Sequence, residues 1–207
     1  METGFIYLAS ASPRRAELLR QLGVTFRVRP AALEEAISPG ESPAQYVART
    51  AADKAVAVSG QIAAEERAAV LGADTIVLSD SEILGKPTGP DAALAMLEQL
   101  SGRTHEVLSA VAVTDGQRTE TRLCASKVRF RATTPRERAA YCATGEPLDK
   151  AGGYGIQGFA AAFIERLEGS YSAVMGLPLF ETAELLARFA LPAWLRTAPQ
   201  RRRNKSL

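Results

Sequence analysis

A mixed α/β fold, a twisted sheet flanked by helices, is what this sequence predicts, and three observations predict it. Apolar runs of strand length alternate along the chain with segments of helical periodicity. Three of the helical segments open on a hydroxyl residue followed by proline, at Ser12-Pro13, Ser42-Pro43 and Thr134-Pro135, the preferred chemistry of a helix start. The polar turns "SDSE" and "TDGQ" send strands back as hairpins, so the sheet is mixed rather than purely parallel.

The elements follow in order. Residues 5–10, "FIYLAS", read as a buried strand that feeds the first helix. That helix has Ser12 as its cap and Pro13 at its first position, where a missing N–H costs nothing. Leu18, Leu19 and Leu22 recur on one face, with Glu17, Arg20 and Gln21 on the other. "TFRVRP" alternates as a strand does, and residues 33–40 form a connection that holds the adjacent acids Glu34 and Glu35. Residues 44 to about 60 are helical in composition, with Tyr46, Val47, Ala51, Lys54 and Val58 along them. Residues 69–78, "AVLGADTIVL", are a strongly apolar strand that returns through "ILGKP". A helix over 91–100 stops near Gly102, and residues 107–113 and 118–131 pair around the turn at Asp115-Gly116. Residues 134–144 are helical. The glycine-rich loop 145–158 leads into an expected strand pair through Phe163 and Ile164, and a helix over 179–189 closes the fold.

Composition bounds the function. The 207 residues are 46% hydrophobic and 23% charged, the balance of an ordinary globular protein, and the length suits one domain with room for two lobes. No apolar run approaches the ~20 residues of a membrane span. The N-terminus lacks a basic segment followed by a signal-type apolar run, so a cytoplasmic location is expected. Cys124 and Cys142 stand alone, without zinc spacing or a disulfide framework, and read as small, reduced, partly buried side chains. The net charge of +2 hides an asymmetry: the last twelve residues hold five bases and no acid, and the remainder carries 20 bases against 23 acids. Residues 1–195 are therefore expected to form the domain and 196–207 a basic, solvated tail. The body is not a nucleic-acid surface by charge, and any such affinity would lie in the tail.

Two placements are anomalous. Arg14 and Arg15 occupy the first turn of a helix, where the dipole is already positive and acidic residues are preferred. With the hydroxyls of Ser10 and Ser12 beside them they make a phosphate cradle, or they are surface arginines that point into water. Asp74 interrupts an apolar strand, where a carboxylate must be paired, metal-bound or hydrogen-bonded if it is buried, or exposed at an edge if it is not. Glu35, Lys54 and Lys86 are its candidate companions, although each alone also reads as a surface charge. "GYGIQG" meets the G-x-G-x-x-G pattern but lacks the preceding strand and following helix that a dinucleotide site needs. His105 is the sole histidine, which sets aside a Ser-His-Asp machine and a His-rich metal site, and it reads as a strand-end residue without special chemistry.

In order along the chain stand "SASPRR", "LEE" with "YVARTAADKA", "LGADTIV", "LGKP", "LSGRTHEVLSAVAV", "EPLDKAGGYGIQG" and "GLPLFETAELL". Together, from about residue 7 to 189, they resemble the Maf family of nucleoside triphosphate pyrophosphatases. "SPRR", "GADT" and "YGIQG", with Arg14, Thr75 and Gln157, are similar to the dTTP/UTP branch and differ from the 7-methyl-GTP branch at all three places. The resemblance implies a fold related to the inosine triphosphate pyrophosphatases, with two lobes around a deep cleft, and a homodimer. It implies a Mg²⁺- or Mn²⁺-dependent reaction that turns pyrimidine nucleoside triphosphates into monophosphate and pyrophosphate.

The resemblance also implies roles. Ser12, Arg14, Arg15 and Thr75 would hold the triphosphate, and Asp74 would be the general base. Glu35, with Asp74, would hold the metal, and Lys54 and Lys86 would neutralise charge that develops on the phosphates. Gln157 would read the base, since its amide offers the donor and the acceptor that the imide edge of uracil and thymine requires. A second reading, from the same resemblance, is a nucleotide-binding regulator of septum formation with little turnover. The intact constellation of bases and acids favours the enzyme.

Overall fold

The computed structural model describes residues 4–191. In chain order the elements are β1 (Ile6–Leu8), α1 (Pro13–Gln21), β2 (Phe26–Val28), α2 (Pro43–Ser59), β3 (Val70–Ser79), β4 (Glu82–Leu84), α3 (Pro90–Leu100), β5 (Thr104–Thr114), β6 (Thr119–Phe130), α4 (Pro135–Ala143), β7 (Ile164–Glu168), α5 (Tyr171–Met175) and α6 (Leu179–Arg188). The seven strands make one mixed sheet in the order β2-β1-β3-β5-β6-β7, with β4 also beside β3. β1 runs parallel to β2 and β3, and every other pairing is antiparallel.

The hydroxyl-proline pairs act as the sequence predicts. Ser12, Ser42 and Thr134 each cap a helix that has proline at its start. The second and third are full capping boxes, in which Gln45 and Glu137 accept from the cap residue's N–H at 2.9 and 2.7 Å. α1 has no such acid, and its first turn holds none.

Strand alternation sorts the core. On β3, Val70, Ile76 and Leu78 pack towards α2 with Val47, Ala51, Ala55 and Val58. Leu71 and Ala73 face the other way, onto Leu18 and Leu19 of α1 and Leu185 and Leu186 of α6. A third cluster gathers Leu97, Leu100, Phe130, Tyr141, Tyr154 and Phe163 under the glycine-rich segment. The same alternation puts Asp74 on the α2 face and its neighbour Thr75 on the α1 face.

Two features of β3 make room for a site. β5 lies along one edge from Val70 to Leu78, but on the opposite edge β1 meets only Val70 and Leu71, and β4 meets only Val77, Leu78 and Ser79. Residues 72–76 thus have no strand neighbour on that side, and the sheet is open there. The second feature is Gly72. A Cβ built at this position would lie 2.2 Å from the carbonyl oxygen of Ala51 and 2.8 Å from the nitrogen of Ala55. α2 rests directly on the strand's backbone, which only glycine permits.

Several expectations change. Phe163 does not lie in a strand, whereas Ile164 opens β7 and pairs with Phe130 of β6. Residues Phe159–Phe163 form a 3₁₀ turn, and only β7 follows, paired to β6 alone. The glycine-rich loop carries two further 3₁₀ turns, at Glu146–Asp149 and Ala151–Gly153, and the short helix α5 was not foreseen. His105 stands at the start of β5, the strand end expected, but it is buried. Cys124 and Cys142 are free and partly buried, as expected, and burial, aided by Glu181, pushes the Cys124 thiol up to about 11. The basic tail at 196–207 lies outside the described residues. No described helix is long and apolar enough to cross a membrane.

Candidate functional site

The open stretch of β3 faces a cavity of about 770 Å³, bounded by the β1–α1 loop and the glycine-rich segment. All nine residues singled out in the sequence line it: Ser12, Arg14, Arg15, Glu35, Lys54, Asp74, Thr75, Lys86 and Gln157.

One end is ionic. The Ser12 hydroxyl accepts from Arg15 N at 3.4 Å, and Ser10 Oγ accepts from Ser12 N at 3.2 Å, so both hydroxyls shape the start of α1. The Arg15 guanidinium turns inward and donates to three oxygens: Gly176 O at 2.8 Å, Ser10 Oγ at 3.3 Å and Thr75 Oγ1 at 3.4 Å. Burial lowers its pKa, while the charges of Asp74 and Glu35 oppose that shift. Thr75 Oγ1 lies 2.9 Å from Ser109 Oγ, whose hydroxyl donates to Ala173 O at 2.6 Å. Arg14 reaches across the cavity to Asp149, at 3.0 Å, and Asp149 also takes a 2.6 Å contact from Lys150. Two guanidiniums at the start of a helix whose first turn holds no acid make an anion-attracting wall.

Asp74 is paired. Lys54 Nζ donates to Asp74 Oδ1 at 2.8 Å and lies 2.8 Å from Glu35 Oε1. The side chains of Lys54 and Asp74 are 10% and 9% exposed, so each relieves the cost of the other's burial. Asp74 Oδ2 accepts no hydrogen bond from the described residues. Glu35 sits on the exposed connection, which Arg49 of α2 ties down: its Nη2 donates to Ala36 O at 2.9 Å, and its fork grips Glu41 at 2.7 and 2.8 Å. That grip, with a bond from Ser38 N, lowers the Glu41 pKa to about 2. Among the described residues no group of three or more His, Cys, Asp or Glu side chains gathers as a metal cage. Glu35 and Asp74 remain as two carboxylates within reach of one ammonium.

The other end is neutral. Gly152 N donates to Gly85 O at 3.0 Å and so stitches the glycine-rich segment beside Lys86. "GYGIQG" is preceded and followed by 3₁₀ turns, which rules out the dinucleotide fingerprint. His105 Nε2 is 2.8 Å from the hydroxyl of Tyr154, and Phe130 packs edge-on against both rings. Burial lowers the His105 pKa to about 4, so the ring is neutral at pH 7.

The sequence reading missed Asp149, Lys150 and Ser109. The first two lie in "EPLDKAGG", a charged pair inside a glycine-rich stretch. Ser109 is a lone hydroxyl in the apolar run "VLSAVAV", the same kind of signal that exposed Asp74.

Comparisons with known proteins show what the chain is similar to. The family model described as Maf-like protein matches residues 5–189. A protein of Aromatoleum aromaticum named dTTP/UTP pyrophosphatase is 52% identical over 198 residues, which span 90% of this chain and 96% of the relative. Relatives of the same name from Saccharophagus degradans and Escherichia coli O157:H7 are 50% and 51% identical, covering 94% and 89% of this chain and 93% and 92% of their own. Among solved structures, the Staphylococcus aureus Ham1 protein aligns at a TM-score of 0.47 and 14% identity, over 89% of this chain and 97% of that one.

Proposed function

The chain belongs to the Maf-like family, and we propose that it is a pyrophosphatase that hydrolyses dTTP and UTP to the monophosphate and pyrophosphate. The observation that carries the reading is the Lys54–Asp74 pair, which stands at the open edge of β3 and shares one cavity with Arg14 and Arg15.

The triphosphate lies against the start of α1, where Arg15, Thr75 and Ser12 bind its oxygens and Arg14 exchanges Asp149 for phosphate. Asp74 is the base. Its Oδ1 is engaged by Lys54, which leaves Oδ2 to take a proton from the attacking water. The new bond joins the water oxygen to phosphorus, and the anhydride bond between the α and β phosphates breaks. Its electrons leave with pyrophosphate, whose charge Lys86 and the arginines receive. Glu35 and Asp74 fit a hard divalent cation, since they offer two carboxylates and leave its other positions to water and phosphate. Mg²⁺ or Mn²⁺ bound there would withdraw charge from the phosphate oxygens. The amide of Gln157 donates to and accepts from the imide edge of the base. A cytoplasmic homodimer completes the reading.

Incubation with Mg²⁺ or Mn²⁺ and a panel of nucleoside triphosphates tests it. Monophosphate and pyrophosphate from dTTP and UTP, with little from purines, is the expected result. Diphosphate with phosphate would overturn the mechanism. Tight metal-dependent binding without turnover would make the protein a nucleotide-binding regulator instead.

A further inference from the structure

Gln157 stands on a turn of few intrinsic constraints, because two of its four residues are glycine. Gly158 N donates to Gly155 O at 3.0 Å and closes the turn, with Ile156 and Gln157 at its centre. Ile156 is 8% exposed, Gln157 is exposed, and both line the cavity. Glycine at both ends leaves such a turn free to wander, and a base-reading amide must be held to within a fraction of an ångström.

One carboxylate holds both ends. Glu146 Oε2 accepts from Phe159 N at 3.0 Å, just beyond the turn. Glu146 Oε1 accepts from the Tyr141 hydroxyl at 2.8 Å, and the Tyr141 oxygen accepts from Gly155 N at 3.2 Å, at the start of the turn. The direction of this chain is fixed: an amide N–H can only donate, so the tyrosine's own hydrogen must go to the carboxylate. Burial and the Glu146 charge raise the Tyr141 pKa, which keeps that hydrogen in place. Tyr141 is itself anchored, 3% exposed on α4 with its ring edge-on to Phe163. The Glu146 carbonyl is gripped by Lys150 Nζ at 2.6 Å. A Cβ at Gly158 would fall 2.1 Å from Glu146 Oε1, so the turn is pressed onto the carboxylate itself.

We propose that Glu146 is a positioning residue for base recognition: directly and through the Tyr141 hydroxyl, its carboxylate fixes the 155–158 turn that presents Gln157 to the pyrimidine. The inference rests on the reading of Gln157 as the residue that contacts the base. Glu146 touches no substrate and acts only through the turn.

The test uses Tyr141→Phe, Glu146→Gln, Gln157→Ala and the double variant Tyr141→Phe/Gln157→Ala, with UTP as substrate. Tyr141→Phe and Glu146→Gln are each expected to raise KM about fivefold to tenfold, the scale of one lost hydrogen bond, with kcat nearly unchanged. The double variant is expected to be no worse than Gln157→Ala alone, because the effect runs through Gln157. Amide exchange at Gly155 and Phe159 should quicken in either clamp variant, and this readout needs no turnover. Unchanged exchange, a fall in kcat at constant KM, or penalties that add in the double variant would each overturn the proposal. If Tyr141→Phe fails to fold, Glu146→Gln decides by the same measurements. If Gln157→Ala weakens UTP while both clamp variants behave as the parent, the clamp alone is refuted. If Gln157→Ala leaves UTP untouched, the base-reading assignment falls, and the clamp's role in recognition falls with it.

Discussion

At one end of the cleft, Arg15 and Lys54 project from helices, meet groups on the facing strands and hold formal charges in place with formal charges and strand hydroxyls. At the other, Gln157 rides on a four-residue turn fixed by a carboxylate, two tyrosines and a neutral histidine, with no net charge aimed into the cavity by the turn itself. The first end uses the rigidity of α1, α2 and β3, and the second uses backbone N–H groups of irregular chain. The contrast matches the two proposed tasks. Phosphate carries charge in every direction and is satisfied by charge at the right distance, whereas a base edge is read only by donors and acceptors in the right order. Errors should therefore cost turnover at the ionic end and affinity at the neutral end.

Asp74→Asn probes the ionic end most severely. The amide still accepts from Lys54 but cannot take a proton from water, so kcat should fall about 100-fold or more while UTP still binds by calorimetry. Turnover near the parent's would move the base elsewhere. Gly158→Ala attacks the neutral end through shape alone. Its methyl group meets the Glu146 carboxylate, so thermal melting should show a loss of about 1–3 kcal/mol, with KM for UTP raised well beyond the change in kcat. An unaltered KM would show that the turn can move without loss of recognition. Gln157→Glu removes one donor and adds a charge beside the imide carbonyl. UTP and dTTP kcat/KM should fall about tenfold, and activity on both unchanged from the parent would break the assignment of the reader.

The smallest effect concerns pH. The folded pKa of His105, about 4, lies below its ordinary value of 6.5, so between these values the unfolded chain binds the proton more readily. The contribution of neutral His105 to stability is complete above about pH 6.5 and is lost as pH falls towards 4. His105→Gln, neutral throughout, should lose less melting temperature between pH 7 and pH 4 than the parent does. The same loss in both would mean that His105 is not held neutral.

The two ends were also unequally legible. Hydroxyl-proline pairs, apolar runs and misplaced charges are local signals, and they located α1, α2, α4, β3, the arginines and Asp74. Lys54 and Glu35 could be named as candidate companions of Asp74, but their convergence could not be derived, because the contact joins a helix, a strand and a connection. At the neutral end the glycine-rich loop was legible and Gln157 was reached only through the family resemblance, while the rest resisted. "FAAAFIERL" looks like strand throughout, yet only its second half pairs with β6, while the first half coils and Phe163 O accepts from Arg131 N at 2.8 Å. α5 has five residues, too few for a periodic pattern. The bonds of Glu146 to residues 155 and 159 depend on turn geometry that no spacing rule encodes.

Gly72 gives the ionic end a stiffness that charge alone could not. Attraction between Lys54 and Asp74 changes gently with distance, but the contact between α2 and the bare backbone of β3 is a steep wall. The helix turn that carries Lys54 is already at its stop. In the proposed step, where Asp74 takes the proton of the attacking water and the attraction across the pair weakens, apolar packing still presses α2 against that wall and would keep the lysine in place for the next cycle. The constancy of the gap is thus mechanical, set by the absence of one carbon atom two residues before the acid.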